Sequence, residues 1–444
     1  MAYALSSPAV LLAPLLVCLA SCYAPQTLRV ASSVSEWRAA RDAQPAVTQA
    51  SSSPVEWTAD AMVTRALARN PELLSWAARV ETAASSVDAA GAFRDLEFRV
   101  TRGELSDFKK DDPLFDLALR GRPPRPGDIA SREDAARLRV EELSAQQEDR
   151  KRRVRAEVRR LHATLVFYER ETRLLQAEEA LRLTHYALEQ ERLTQGATST
   201  LDVVLAELEK VQIQDSLRAI SVRRLRTEGV LRALLDVPAE QALVPAGAPG
   251  GISEEVLSQA PVDRDAWVQE GLETRAALRE TNAALGRARA DAYRADSERW
   301  PWLGWVELSY ELSDDSTPLS WGFALAVDLP IFAWTGAETA AADALTRQRA
   351  QEHQGAITRV AREVEGAFSA EAGARERLQT LRETLRSAVD GAAQFTAAAT
   401  PAQVPEASQR LRLKVATLRA QRRELDAVRS WVQARVNLVA AVGR

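Results

Sequence analysis

The sequence predicts a mainly α-helical fold with a small β part, built from long rods laid side by side and repeated twice along the chain. Three observations lead there. The 444 residues are 46% hydrophobic but only 6% aromatic, with Ala, Arg, Leu and Glu prominent, a bias that belongs to long helices and coiled coils. Over residues 130 to 193 the apolar positions Val154, Val158, Leu161, Leu165 and Tyr168 alternate spacings of four and three, the stripe of a coiled coil. Finally, separated stretches line up at one shift of 205: 68 to 90 with 273 to 295, 131 to 139 with 336 to 344, and 233 to 238 with 438 to 443.

The two copies read in one order. Each opens with a helix, over about 58 to 91 and 262 to 297, then has two short strands, a very long helix, a break and a second long helix. The first rod would extend on the order of 95 Å at the helical rise. No compact core buries such a length, so the rods must pack as an array. The domains expected are a signal segment 1–21, an N-terminal linker 22–57, a first repeat 58–236, a Pro/Gly linker 237–261 and a second repeat 262–444.

The strands alternate with period two. In the second copy Trp302, Val306, Leu308, Tyr310 and Leu312 share one face against Trp305, Glu307, Ser309 and Glu311. Trp321, Phe323, Leu325, Val327 and Leu329 oppose Gly322, Ala324, Ala326 and Asp328. The first copy sets Leu96, Phe98 and Val100 against Glu97 and Arg99, and Phe115, Leu117 and Leu119 against Asp116 and Arg120. Apolar-out, polar-in alternation is the pattern of a transmembrane β-barrel. Trp300, Trp302, Trp305, Trp321 and Trp334 crowd the same region, as an interfacial girdle would. The alternative is a soluble hairpin with one core face. Four strands per chain cannot close, and lipid tolerates no open edge, so membrane-spanning strands require several copies.

The N-terminus carries an apolar run from Ala9 to Ala20, too short to span a bilayer and suited to a signal-peptide core. Leu19-Ala20-Ser21-Cys22 after that run resembles the bacterial lipobox, which makes Cys22 the candidate acylated residue. The alternative is an ordinary secretory signal cut elsewhere. The net charge of −4 offers no basic face for nucleic acid. Three histidines, two cysteines and two methionines leave little for a metal centre. No phosphate loop, HExxH or nucleophile elbow is present, so no catalytic residue, cofactor or enzyme activity is expected.

Between the rods of the first copy stands Gly196-Ala197-Thr198-Ser199-Thr200-Leu201-Asp202. Ser199 or Thr200 can cap the next helix while Asp202 complements its dipole. This stretch also resembles, through Gly196, Ser199, Asp202 and Val203, the tip pattern of the TolC family of outer-membrane efflux channels. Asn70-Pro71-Glu72-Leu73 matches that family's NPEL, and Pro330, Phe332 and Gly336 resemble its strand-to-helix junction. The likeness covers about residues 55 to 444. The first-copy junction departs from it with a basic, Pro-rich stretch, and the second tip has Pro401, Val404 and Ala407 where Gly196, Ser199 and Asp202 stand.

The resemblance implies a homotrimer whose twelve strands form an outer-membrane β-barrel continuous with an α-helical coiled-coil barrel in the periplasm. It implies a lipid-anchored outer-membrane protein, acylated at Cys22 and palmitate-bearing, acting as a passive conduit. A periplasmic adaptor would dock at a tip formed by Gly196, Ser199 and Asp202 and join the channel to an inner-membrane pump. The rival reading is a periplasmic coiled-coil scaffold lipoprotein without a channel.

Overall fold

The computed structural model describes residues 56–104, 113–238, 241–258, 263–312, 320–330, 336–398 and 407–444, with Ser35 and Ala39 before them. The chain divides after Pro54, and every element below belongs to the unit Val55–Arg444. Strand β1 (Glu56–Trp57) precedes α1 (Ala59–Arg69) and α2 (Pro71–Gly91). Strands β2 (Glu97–Glu104) and β3 (Pro113–Gly121) form the first hairpin. The rods α3 (Asp128–Thr194) and α4 (Thr200–Leu235) follow, then β4 (Val244–Pro245). The second half gives α5 (Arg264–Thr274), α6 (Ala276–Ser297), β5 (Trp302–Leu312), β6 (Ser320–Asp328), α7 (Ala337–Ala398) and α8 (Ala407–Val442).

The 67-residue α3 contains neither Gly nor Pro, so nothing in its interior interrupts the helical ladder. The sequence suggested one opening helix per copy, over 58 to 91 and 262 to 297, but the structure breaks each in two. Pro71 has no N–H to continue α1, and Asn70 turns the break into a cap. Its Oδ1 accepts from Glu72 N at 3.0 Å and Leu73 N at 3.3 Å, while its Nδ2 donates to Leu234 O at 3.4 Å. The second break falls at Arg275 without any proline. There Nη1 donates to the carbonyls of Ala440, at 3.0 Å, and Ala441, and Nη2 meets Glu363 at 2.6 Å. Both breaks therefore satisfy carbonyls at the end of their own half's last helix.

Packing runs in one order along the array. Beside the strands, α2 lies on α3, α3 on α6 and α6 on α7. Further along the rods, α4 lies on α3, α3 on α8 and α8 on α7. The sheet has the matching order β2–β3–β5–β6, all antiparallel. The α3 stripe is where these layers meet. Val154, Val158 and Leu165 are buried with Met62, Ala66, Leu231 and Leu235, and Tyr168 with Leu175, Ile213 and Ile220. Phe167 enters a second cluster with Leu378, Val428, Trp431 and Val432 from α7 and α8. Each buried Val, Leu, Ile, Met or Phe among them contributes about 1.5–3 kcal/mol. The small sheet β1–β4 is parallel and sits against α3.

The basic, Pro-rich stretch before α3 also has a structural use. Arg125 Nη1 donates to Ser297 O at 2.8 Å and Trp300 O at 2.5 Å, closing the end of α6. Trp302 Nε1 donates to Pro123 O at 3.0 Å, and Gly127, at φ +79°, lies under the Tyr293 ring, where a Cβ would collide.

Asn70→Ala is expected to cost ~1–2 kcal/mol, because it removes two helix-start bonds and the bond to Leu234. Asn70→Asp, which keeps the acceptor oxygens and loses the donor, is expected to fall between Ala and wild type in urea denaturation.

Candidate docking tip and sheet faces

At the far end of the first copy, α3 stops in a Schellman arrangement. Gly196 takes φ +69°, Gly196 N donates to Leu193 O at 3.0 Å, and Ala197 N donates to Arg192 O at 2.8 Å. A Cβ on Gly196 would meet no atom within 4 Å, so the glycine answers to backbone conformation and not to space. The next helix opens with a full capping box. Asp202 N donates to Ser199 Oγ at 3.3 Å, and Asp202 Oδ2 accepts from Ser199 N at 3.2 Å. The same Oδ2 accepts from Ser199 Oγ at 2.6 Å and Thr198 Oγ1 at 3.0 Å. The bonds from Ser199 and then Thr198, with Arg412 of α8 adding to them, hold the Asp202 carboxyl below the usual aspartate range. Gly196, Ser199 and Asp202 are thus brought together as one exposed turn.

Behind the turn lies a cavity of about 280 Å³ whose wall includes Arg182, His185, Glu189, Asp202, Glu209 and Arg412. His185 is buried, with Nε2 3.5 Å from Glu189 and Nδ1 3.9 Å from Glu209. The two carboxylates flank opposite edges of the ring and do not converge on one point. Among the described residues no three His, Cys, Asp or Glu side chains group as metal ligands.

On the sheet, register places Phe98, Val100, Leu119, Leu308, Tyr310, Leu325, Phe323 and Trp321 on one face. Phe98, Val100, Trp321, Phe323 and Leu325 each leave more than half their surface exposed. The other face is polar and organised. Glu307, 6% exposed, receives Arg99 at 3.1 Å and Arg120 at 2.8 Å, and the Arg120 guanidinium lies 4.3 Å from the Trp305 ring centroid. One face assignment from the sequence needs correction. A bulge at Gly304 shifts the register between Leu303 and Trp305, so Trp302 pairs with Asp328 and joins the polar face, while Leu303 joins the apolar one. Of the proposed girdle, Trp300 and Trp321 stand exposed, and Tyr310 packs on Trp321 with centroids 4.8 Å apart. Trp302 and Trp305 are partly covered on the polar side.

Sequence reading missed a further stripe on α4. Leu201, Val204, Leu208, Val211, Val222 and Leu225 are exposed at positions in one three–four register, interrupted by Asp215 and Arg218. The spacing was available as a signal. Cys22, Phe332, Trp334, Pro401 and Val404 lie outside the described residues. No described helix is long and apolar enough to cross a membrane.

With this geometry in hand, the chain can be compared with known proteins. No family model matches it, and no curated protein does. Solved structures do. The transmembrane channel protein CusC superposes with a TM-score of 0.70 at 14% identity, over 89% of this chain and 95% of that one. The Neisseria gonorrhoeae outer-membrane channel MtrE gives 0.66 at 17% identity, over 87% and 88%. The Vibrio cholerae outer-membrane protein VceC gives 0.65 at 16%, over 87% and 96%. The fold is that of the TolC-family outer-membrane channels.

Within that fold the tip makes two expectations. Gly196→Ala should cost about 1 kcal/mol through the left-handed backbone alone, read as local loosening of the turn in hydrogen exchange. Because its folded value is depressed, the Asp202 cap is present above the ordinary aspartate range and lost as pH falls through the folded value. Protection of the Ser199 and Asp202 amides should fall with it, and Asp202→Asn should abolish that dependence.

Proposed function

We propose that this protein is the outer-membrane channel of a tripartite efflux or export system. It acts as a passive conduit for substrates delivered by an inner-membrane pump through a periplasmic adaptor. The observation that carries the reading is the four-stranded sheet with one exposed apolar face and two outer strands, β2 and β6, each paired on one side only among the described residues. The helices end in the same sense: α2 and α4 stand on the β2 side, and α7 on the β6 side. Such an open arc closes by head-to-tail contact between copies, β2 to β6 and the α4 stripe to α7, which generates a ring. Strands of eight to eleven residues suit a tilted crossing of the hydrocarbon core. Three copies would supply twelve strands, the number that the family likeness implies.

The internal duplication supports the same plan. The breaks at Asn70 and Arg275 lie 205 apart (275 − 70 = 205), and each binds carbonyls ending its own half's last helix. We therefore assign repeats 58–236 and 262–444 around the 237–261 linker, with a coiled-coil barrel built from the rods. Cys22 is assigned as the acyl-bearing residue after a 1–21 signal, anchoring the chain in the outer membrane. For the adaptor contact, capping occupies Asp202 Oδ2 and leaves Oδ1 for a basic partner group.

Cys22→Ala separates anchor from barrel. The variant is expected to remain in the outer membrane, to extract in detergent as a trimer and to conduct ions in planar bilayers. Its release as a soluble periplasmic protein would establish the scaffold alternative. At the tip, Asp202→Lys is expected to abolish crosslinking to the adaptor, and unchanged crosslinking with normal export would remove the docking role.

A further inference from the structure

The fully buried His162 of α3 is unused by the channel reading, and its surroundings are specific. Its Nδ1 accepts the Gly250 N–H at 3.1 Å, so that nitrogen carries no proton. Its Nε2 lies 3.2 Å from both Trp57 O and Ala246 O and donates the ring's one proton between them. One imidazole thus joins β1 and the 244–251 belt between the two halves to the middle of the longest rod. The belt is closely seated. Gly250 has φ +64°, and a Cβ there would stand 3.1 Å from Arg159 O and 3.4 Å from Val436 of α8.

The charges around the ring are few. Asp60 of α1 favours a second proton and is itself held by Arg159 of α3 at 3.1 Å. Arg65 of α1 lies over the Trp57 ring at 5.7 Å, and Glu56 of β1 is exposed. The 244–251 belt has no ionisable side chain, and α8 meets it through Val436. Burial pushes the His162 pKa below the ordinary histidine value, and the bonds to Trp57 and Ala246 oppose it.

We propose that His162 is a proton-operated latch: a proton taken from solvent onto Nδ1 frees the 244–251 belt from α3 while the rods stay packed. The second proton has only Nδ1 to go to, where it would face the Gly250 N–H donor to donor. Gly250 must leave for the ring to accept it, and water then takes up its N–H. The released arrangement binds the proton more tightly, so acid favours it. The latch is fully closed above the ordinary histidine value and opens as pH falls below it. The rods hold through Phe167, Leu378 and Trp431, which are buried independently of the ring.

The test is hydrogen exchange by mass spectrometry on the full-length protein in detergent, following the 244–252 peptide from about pH 7.5 to about pH 5. Rates are corrected for intrinsic exchange at each pH. Protection is expected to fall on the order of tenfold, with the 158–167 segment unchanged. His162→Asn offers an amide oxygen near the Nδ1 position and does not titrate, so its belt protection should not vary with pH. A flat wild-type profile, or an Asn variant that falls like wild type, overturns the latch. If that variant fails to fold, the wild-type imidazole ¹⁵N shifts decide. Protonation in step with belt release supports the latch, and belt release with Nδ1 still unprotonated overturns it.

Discussion

The structure turns on the backbone groups along the outer edges of β2 and β6. A strand edge is a row of donors and acceptors, and among the described residues the sheet of four strands leaves two such rows unpaired. Water can satisfy them on the surface of a soluble protein. Here the same strands present a continuous apolar face from Phe98 to Phe323, and in the membrane setting proposed above water is a poor option. In the channel proposed above, only another copy of the chain meets both demands, supplying strand edges and apolar closure together. The helices obey the same geometry: α3 follows β3 and α7 follows β6, while α4 packs on α3 and α8 packs between α3 and α7.

The two halves reach the same architecture with different chemistry. One helix break is set by Pro71 and capped by Asn70, and the other is held by the buried Arg275 guanidinium on carbonyls of α8. The strand-to-rod junction of the first half uses Arg125 and a proline-rich stretch to close the end of α6 across the halves. In the duplication proposed above, such divergence is what a repeated backbone permits. The orphan carbonyl or amide must be satisfied, but any side chain of sufficient reach can do it. Residues proposed for docking therefore need not recur at equivalent positions, and the Gly196, Ser199 and Asp202 pattern stands in the sequence of one half only.

Much of the local structure is legible in the sequence. Alternation told the two faces of β2, β3 and β6 apart, and of the α3 stripe Val154, Val158, Leu165 and Tyr168 are buried and Leu161 partly so. The sequence left the cap of α4 to Ser199 or Thr200 with Asp202 on the helix dipole, and the structure gives the cap to Ser199 with Asp202 bonding back to it. Trp302 was placed on the wrong face because one residue of bulge at Gly304 inverts every assignment beyond it. The break at Arg275 was invisible, since no proline or glycine marks it. The bonds of His162 were equally hidden, because its partners Trp57, Ala246 and Gly250 lie more than 80 residues from it and contribute only backbone atoms.

Local chemistry thus belongs to the sequence. Helix length comes from uninterrupted helix formers, strand faces from period two, and caps from residues three positions apart. Tertiary structure decided what depends on distant segments. It set the order of rods and strands, the Arg99–Glu307–Arg120 cluster on the polar face, and the neutral state of a histidine held between β1 and the 244–251 belt. The physical reason is range. Propensity and periodicity act within a few residues, whereas burial, register shifts and backbone-to-ring bonds depend on which parts of a long chain come to lie side by side.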